Sequence, residues 1–316
     1  MSALTRPTFV IAGERRSGTT TLYQTLSAHP DVFMVPTTDW NFFVDDELVG
    51  FRAATPGEID PSRWSTQHTV EEYAAAFEPG AARAARGHKG ADLLFHQPSH
   101  ARLVAFAPEA KLVIVLRNPV QRAWSHYWNE VAKGREHLDF EAAIEFEPAR
   151  AERSAYERHH LSYVRRGYYD VTLAALLETV DIERIHVTVL DELTTPDGAA
   201  LSALHEFLDI DPALAVRRPG RHNPNWATTR RAWAAAGPAA GVASAYERAT
   251  EAVIVRRTTD SDRRRRLRKT LNAPFRTRAD RATMPASVAA DLAGMYEPHI
   301  AGLERLLGRS FDGLRP

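Results

Sequence analysis

Short apolar runs alternate with longer amphipathic stretches along this chain. Phe9-Val10-Ile11-Ala12 reads as a buried strand running into Gly13. Leu22, Tyr23 and Leu26 then fall on one side of a helix that Pro30 closes. Residues 31–65 read as short strand and loop. Val70–Phe77 is helical, with Thr69 and Glu72 spaced as a capping box. Lys111–Arg117 (KLVIVLR) is the clearest strand, apolar on both faces as a central parallel strand should be. Pro119 opens a helix carrying Ala123, Trp124, Tyr127, Trp128 and Val131 on one side. A helix over Asp170–Thr179, a strand over Ile185–Leu190 and a helix over Leu201–Leu208 follow. Residues 213–283 carry little strand signal and are rich in Arg and Ala, and Pro285–Leu307 is a long helix. Strands alternating with helices predict an α/β fold with a central, mostly parallel sheet flanked by helices. No repeat or linker interrupts it, so a single domain over residues 1–316 is expected.

Composition removes several chemistries. The chain has no cysteine, which excludes disulfides, thiolate metal sites and cysteine nucleophiles. Forty basic and forty acidic side chains cancel, which argues against nucleic acid as a partner but not against a local basic pocket. The first apolar run is too short for a signal-peptide core and none is long enough for a membrane span, so a cytoplasmic location without membrane contact is expected. The scattered histidines lack metal-ligand spacing, so no metal site is expected.

Two segments carry candidate chemistry. Gly13-Glu14-Arg15-Arg16-Ser17-Gly18-Thr19-Thr20-Thr21 lies between a predicted strand and a predicted helix. Glycine lets the backbone approach a ligand closely, and the helix offers unpaired N–H groups to an anion. The two glycines match the Walker A spacing, but Thr19 stands where that pattern needs Lys. The positive charge instead precedes the second glycine, at Arg15 and Arg16. In the second segment, Arg117 ends the strongest strand, where open α/β sheets bind ligands. Ser125 follows in the next helix and shares a face with Arg122 and Asn129. An Arg fork and a Ser hydroxyl suit a phosphate.

With both segments in this order, the chain resembles the sulfotransferases that use 3′-phosphoadenosine-5′-phosphosulfate (PAPS), in their bacterial and heparan-type branch. Residues 9–30 resemble the family's 5′-phosphosulfate loop and helix, residues 111–128 its 3′-phosphate motif, and residues 164–208 a later block with a Gly-Tyr pair. The resemblance implies a three-layer P-loop-like fold. It implies that Arg15, Arg16, Ser17, Gly18, Thr19, Thr20 and Thr21 cradle the 5′-phosphosulfate. Arg117 and Ser125 would then hold the 3′-phosphate, and Gly167 and Tyr168 lie near the adenosine. Arg217, Arg218 and Arg221 are the candidates for a basic loop over the cofactor.

The family's catalytic Glu follows a Lys and precedes aromatics. The matching run here is Thr38-Asp39-Trp40-Asn41-Phe42-Phe43, so Asp39 is the expected base, with Arg16 stabilising the leaving phosphate. Asn41, Phe42, Lys89, Asp92, His96 and His100 are candidate acceptor contacts. The expected reaction is in-line transfer of a sulfuryl group to a hydroxyl or amine of a small-molecule or glycan acceptor, releasing 3′-phosphoadenosine-5′-phosphate (PAP). The competing readings are a P-loop-like small-molecule kinase and a degenerate homologue that binds nucleotide or glycan without turnover. The basic run Arg263–Arg266 is read as a solvated helix face.

Overall fold

A computed structural model describes residues 4–38, 42–44, 70–133, 135–195, 198–214, 226–228, 276–278 and 283–315. They fall into two compact units. The larger takes in the described residues of Met1–His126, Phe140–His222 and Met284–Pro316; the smaller takes in those of Tyr127–Asp139 and Asn223–Thr283.

The larger unit is built on five parallel strands: β1 Phe9–Gly13, β2 Val32–Thr38, β3 Ala85–Lys89, β4 Lys111–Leu116 and β5 Ile185–Val189. Their order is β2-β3-β1-β4-β5, so the strand that feeds the glycine loop is central. Every residue of β1 is buried, and β4 is buried after Lys111, which is why both read as continuous apolar runs. Phe9, Ile11, Val113 and Val115 join one core with α1 (Thr19–Leu26) through Leu22 and Leu26. On the same core, α10 (Ala199–Phe207) supplies Leu204. The strand absent from the sequence pattern is β3, Ala-Arg-Gly-His-Lys. It pairs in parallel with β1 and β2, and a Cβ at Gly87 would overlap the Phe9 ring. Here the glycine is a packing requirement for the neighbouring aromatic, not a turn.

The helices between strands are α2 Val70–Ala75, α3 Pro98–Phe106, α4 Pro119–Lys133, α5 Phe140–Glu145, α6 Glu147–Arg153, α7 Ala155–His160, α8 Tyr169–Leu177 and α9 Leu190–Leu193. The α1 helix stops at Leu26, a turn before Pro30. The capping box at Thr69 lies outside the described residues. The last helix, α11 (Ala286–Leu307), packs on α8. Arg315 grips α11 with a two-pronged ion pair to Glu304, at 2.7 and 2.9 Å. That bond, with the Phe311 N–H, lowers the Glu304 carboxyl from 4.5 to about 2. A depressed carboxyl stabilises above its unfolded pKa and loses that contribution as pH falls through the folded one. The melting-temperature gap between wild type and Arg315→Met is therefore expected at pH 6, to shrink below about pH 4.5 and to close near pH 2, followed by calorimetry.

In the smaller unit, Glu130 is fully buried and accepts from Lys133 at 2.8 Å and Arg135 at 3.0 Å. A two-stranded antiparallel pair, β6 Trp226–Thr228 with β7 Arg276–Arg278, stands in the stretch of little strand signal. Among the described residues no helix is long and apolar enough to cross a membrane.

Candidate functional site

The site is the carboxyl end of the sheet where β1 lies between β3 and β4, the point at which open α/β sheets bind ligands. Gly18 sits at φ +97°, and a Cβ there would collide with the Leu190 side chain, so the position takes only glycine. The α1 helix starts directly after it, with no side-chain cap and no acidic residue in its first turn. Its leading N–H groups have no side-chain cap, and such groups at a helix start suit an anion. Ser17 Oγ is buried within the same loop with no hydrogen-bond partner of its own.

Arg16 takes φ +71°, a left-handed conformation uncommon for a side-chain-bearing residue. Its Nε donates to Ser125 Oγ at 3.2 Å. The two sequence segments thus meet in space, through the residues expected to bind the two ends of one nucleotide. Lys89 ends β3 beside the loop, is 2% exposed, and donates to Thr20 Oγ1 at 3.1 Å. A second cation therefore stands at the cradle. Lys89, expected among the acceptor contacts from the resemblance, thus ends a strand beside the glycine loop.

At the end of β4, Arg117 forks onto Gln121 Oε1 at 3.3 and 3.1 Å. Its carbonyl accepts from the Tyr169 hydroxyl at 2.8 Å, which fixes the backbone. Burial, aided by the Glu14 charge and opposed by Arg122 and the bond to the Arg117 carbonyl, pushes Tyr169 up to about 12, so the phenol stays a donor at neutral pH. Arg122 turns into the core and donates to the Tyr163 carbonyl. Tyr168 stacks on His299 with ring centres 3.8 Å apart, and His299 in turn meets Asp170 at 2.8 Å. Gly167 is required beside it, because a Cβ would come within 2.6 Å of Tyr296.

Other expected site residues lie beneath the loop. Arg15 reaches Asp92 at 2.5 Å and His160 Nδ1 at 3.2 Å. Asp92 also receives Arg166 at 2.9 Å. Burial alone would raise the Asp92 carboxyl, but Arg15, His159 and Arg166 outweigh it and hold it well below the usual range. The His159 imidazole is lowered too, by burial first, to about 4, which leaves it neutral at pH 7. His96 Nδ1 meets Ser99 Oγ at 2.7 Å, and Phe42 stacks on Tyr73 at 4.1 Å within an aromatic cluster. Asp39, Asn41 and Arg221 lie outside the described residues, as do Arg217 and Arg218. Glu14 and Arg166, which sequence reasoning passed over, are both fully buried and joined at 2.6 Å. The available signal was a carboxylate inside an otherwise cationic and hydroxylic loop, which calls for a buried partner.

A five-stranded parallel sheet whose central strand opens into a glycine loop and helix start defines a P-loop-like α/β protein. Residues 7–211 match the Sulfotransferase family, and the chain belongs to that family. Heparan sulfate glucosamine 3-O-sulfotransferase 5 of Homo sapiens is 26% identical over 210 residues, 66% of this chain. Bifunctional heparan sulfate N-deacetylase/N-sulfotransferase 2 of Homo sapiens is 28% identical over 226 residues, 67% of this chain. The chain spans only part of these relatives, 55% of the first and 23% of the second. The crystal structure of a sulfotransferase from Alicyclobacillus acidocaldarius shares the fold, with a TM-score of 0.67 over 99% of this chain and 100% of that chain at 20% identity.

Proposed function

We propose that the protein transfers a sulfuryl group from PAPS to a hydroxyl or amine of a glycan or small-molecule acceptor. The observation that carries this reading is the Arg16–Ser125 bond, which joins the 5′-phosphosulfate loop to the 3′-phosphate motif. The donor set fits such a cofactor: a cradle that takes only glycine at Gly18, an uncapped helix start and two cations for an anion. A glycan acceptor is favoured by the two heparan sulfate enzymes among the relatives.

Bound PAPS supplies an activated sulfuryl group whose leaving group is a phosphate. The protein's task is to align and to neutralise charge. Arg16, Lys89 and the first N–H groups of α1 stabilise the charge gathering on the 5′-phosphate, as donors do in phosphoryl transfer. Arg117 and Ser125 hold the 3′-phosphate and Tyr168 borders the adenosine. Asp39 accepts the acceptor's proton.

The test is thermal stability with PAP, beside ATP plus Mg²⁺. A native-state ligand at a hundredfold excess over its Kd adds about 2.7 kcal/mol, a shift of several degrees. A shift with PAP alone supports the proposal; a shift only with ATP favours a kinase. Arg117→Ala is expected to erase most of the PAP shift while leaving the smaller effect of adenosine 5′-phosphate, which lacks the 3′-phosphate, unchanged.

A further inference from the structure

An anion-binding loop gains nothing electrostatically from a carboxylate, yet this one contains Glu14, which is fully buried. Glu14 Oε1 accepts from the Arg15 backbone N–H at 2.6 Å and from Arg166 Nη1 at 2.6 Å. Arg166, also fully buried, donates from Nη2 to Asp92 Oδ1 and to the His159 carbonyl, both at 2.9 Å. Its guanidinium lies over the Phe95 ring, 4.1 Å from the centre. Asp92 Oδ2 closes the circuit by accepting from Arg15 Nη2 at 2.5 Å.

The ring therefore starts and ends on Arg15, gripping its backbone through Glu14 and its side chain through Asp92. Two guanidinium groups balance two carboxylates, so the ring is neutral as a whole. The residue that follows is Arg16, whose left-handed φ of +71° persists only if its surroundings over-determine it. The ring fixes it from one side and the Ser125 bond from the other.

We infer that Arg166 is a positioning residue for the phosphate loop: through Glu14 and Asp92 it holds Arg15 inward, so that Arg16 and the N–H groups after it face the 5′-phosphate. This rests on reading the loop as the 5′-phosphosulfate cradle. It makes a prediction opposite in sign to simple charge counting. Glu14→Gln removes a negative charge near a bound phosphate, so electrostatics alone would tighten PAP. If the ring sets the loop's shape, the same change weakens PAP. Arg166→Lys keeps the charge but loses the two-pronged fork, and should act in the same direction.

The experiment is calorimetric titration of wild type, Glu14→Gln and Arg166→Lys with PAP and with adenosine 3′-phosphate, which lacks the 5′-phosphate. PAP affinity is expected to fall about 10–100-fold in both variants, the usual loss when a supporting outer contact is removed. Affinity for adenosine 3′-phosphate should not change. Tighter or unchanged PAP binding by Glu14→Gln overturns the proposal, as does an equal loss for both nucleotides, which marks general destabilisation. If Arg166→Lys does not fold, Glu14→Gln decides alone, since Gln keeps the shape and one acceptor oxygen. Wild type that binds PAP no better than adenosine 3′-phosphate overturns the cradle reading itself, and the inference with it.

Discussion

Asp39→Asn is expected to lower sulfuryl transfer about 10²–10⁴-fold, the usual contribution of a general base, with PAP affinity unchanged. The amide keeps the size of the side chain and loses only the ability to take a proton. The acceptor hydroxyl or amine then attacks with its proton still attached. The measurement is PAP release from PAPS in the presence of a heparan-type glycan, together with PAP titration on the same preparation. Equal loss of turnover and of PAP affinity would remove Asp39 from the role of base. Full retention of turnover would do so as well.

The second large effect is expected at Arg16. Arg16→Ala removes the cation bonded to Ser125, and with it, on the proposed function, a donor for the leaving phosphate. Removing one such donor from a preorganised site costs roughly 10²–10³-fold in turnover. Unlike Asp39→Asn, this variant should also bind PAP more weakly, because the cation acts in the bound state as well. Arg16→Lys should recover part of the turnover: it restores the charge but cannot reproduce the Nε contact to Ser125. Steady-state kcat and the PAP dissociation constant together separate the two variants. Arg16→Ala with normal turnover would leave Lys89 and the helix start as the groups stabilising the leaving phosphate.

Much of this site is local in sequence, and that part was legible. A buried strand, a glycine turn and a hydroxyl-rich helix start are contiguous between Phe9 and Leu26, and Arg117 and Ser125 follow one buried strand. Their periodicity and turn chemistry point to the same elements that the fold contains. The Arg15 and Arg16 pair was not separable in this way. Adjacent residues of one type look equivalent in sequence, and only backbone angle and partners send one toward Asp92 and the other toward Ser125. The β3 strand was missed because its burial comes from two flanking strands and from Phe9 covering Gly87, so its own side chains need not be apolar. The ion pairs beneath the loop span separations that no local pattern encodes.

Those separations bear on the order of events during synthesis. Glu14 and Arg166 are 152 residues apart. At about 5–20 residues per second, a ribosome needs roughly 8–30 s to travel from one to the other. Through that interval the emerging chain carries β1 and α1 but lacks the counter-ion for Glu14. The loop thus stays without its final support until the stretch leading into α8 has left the exit tunnel and docked.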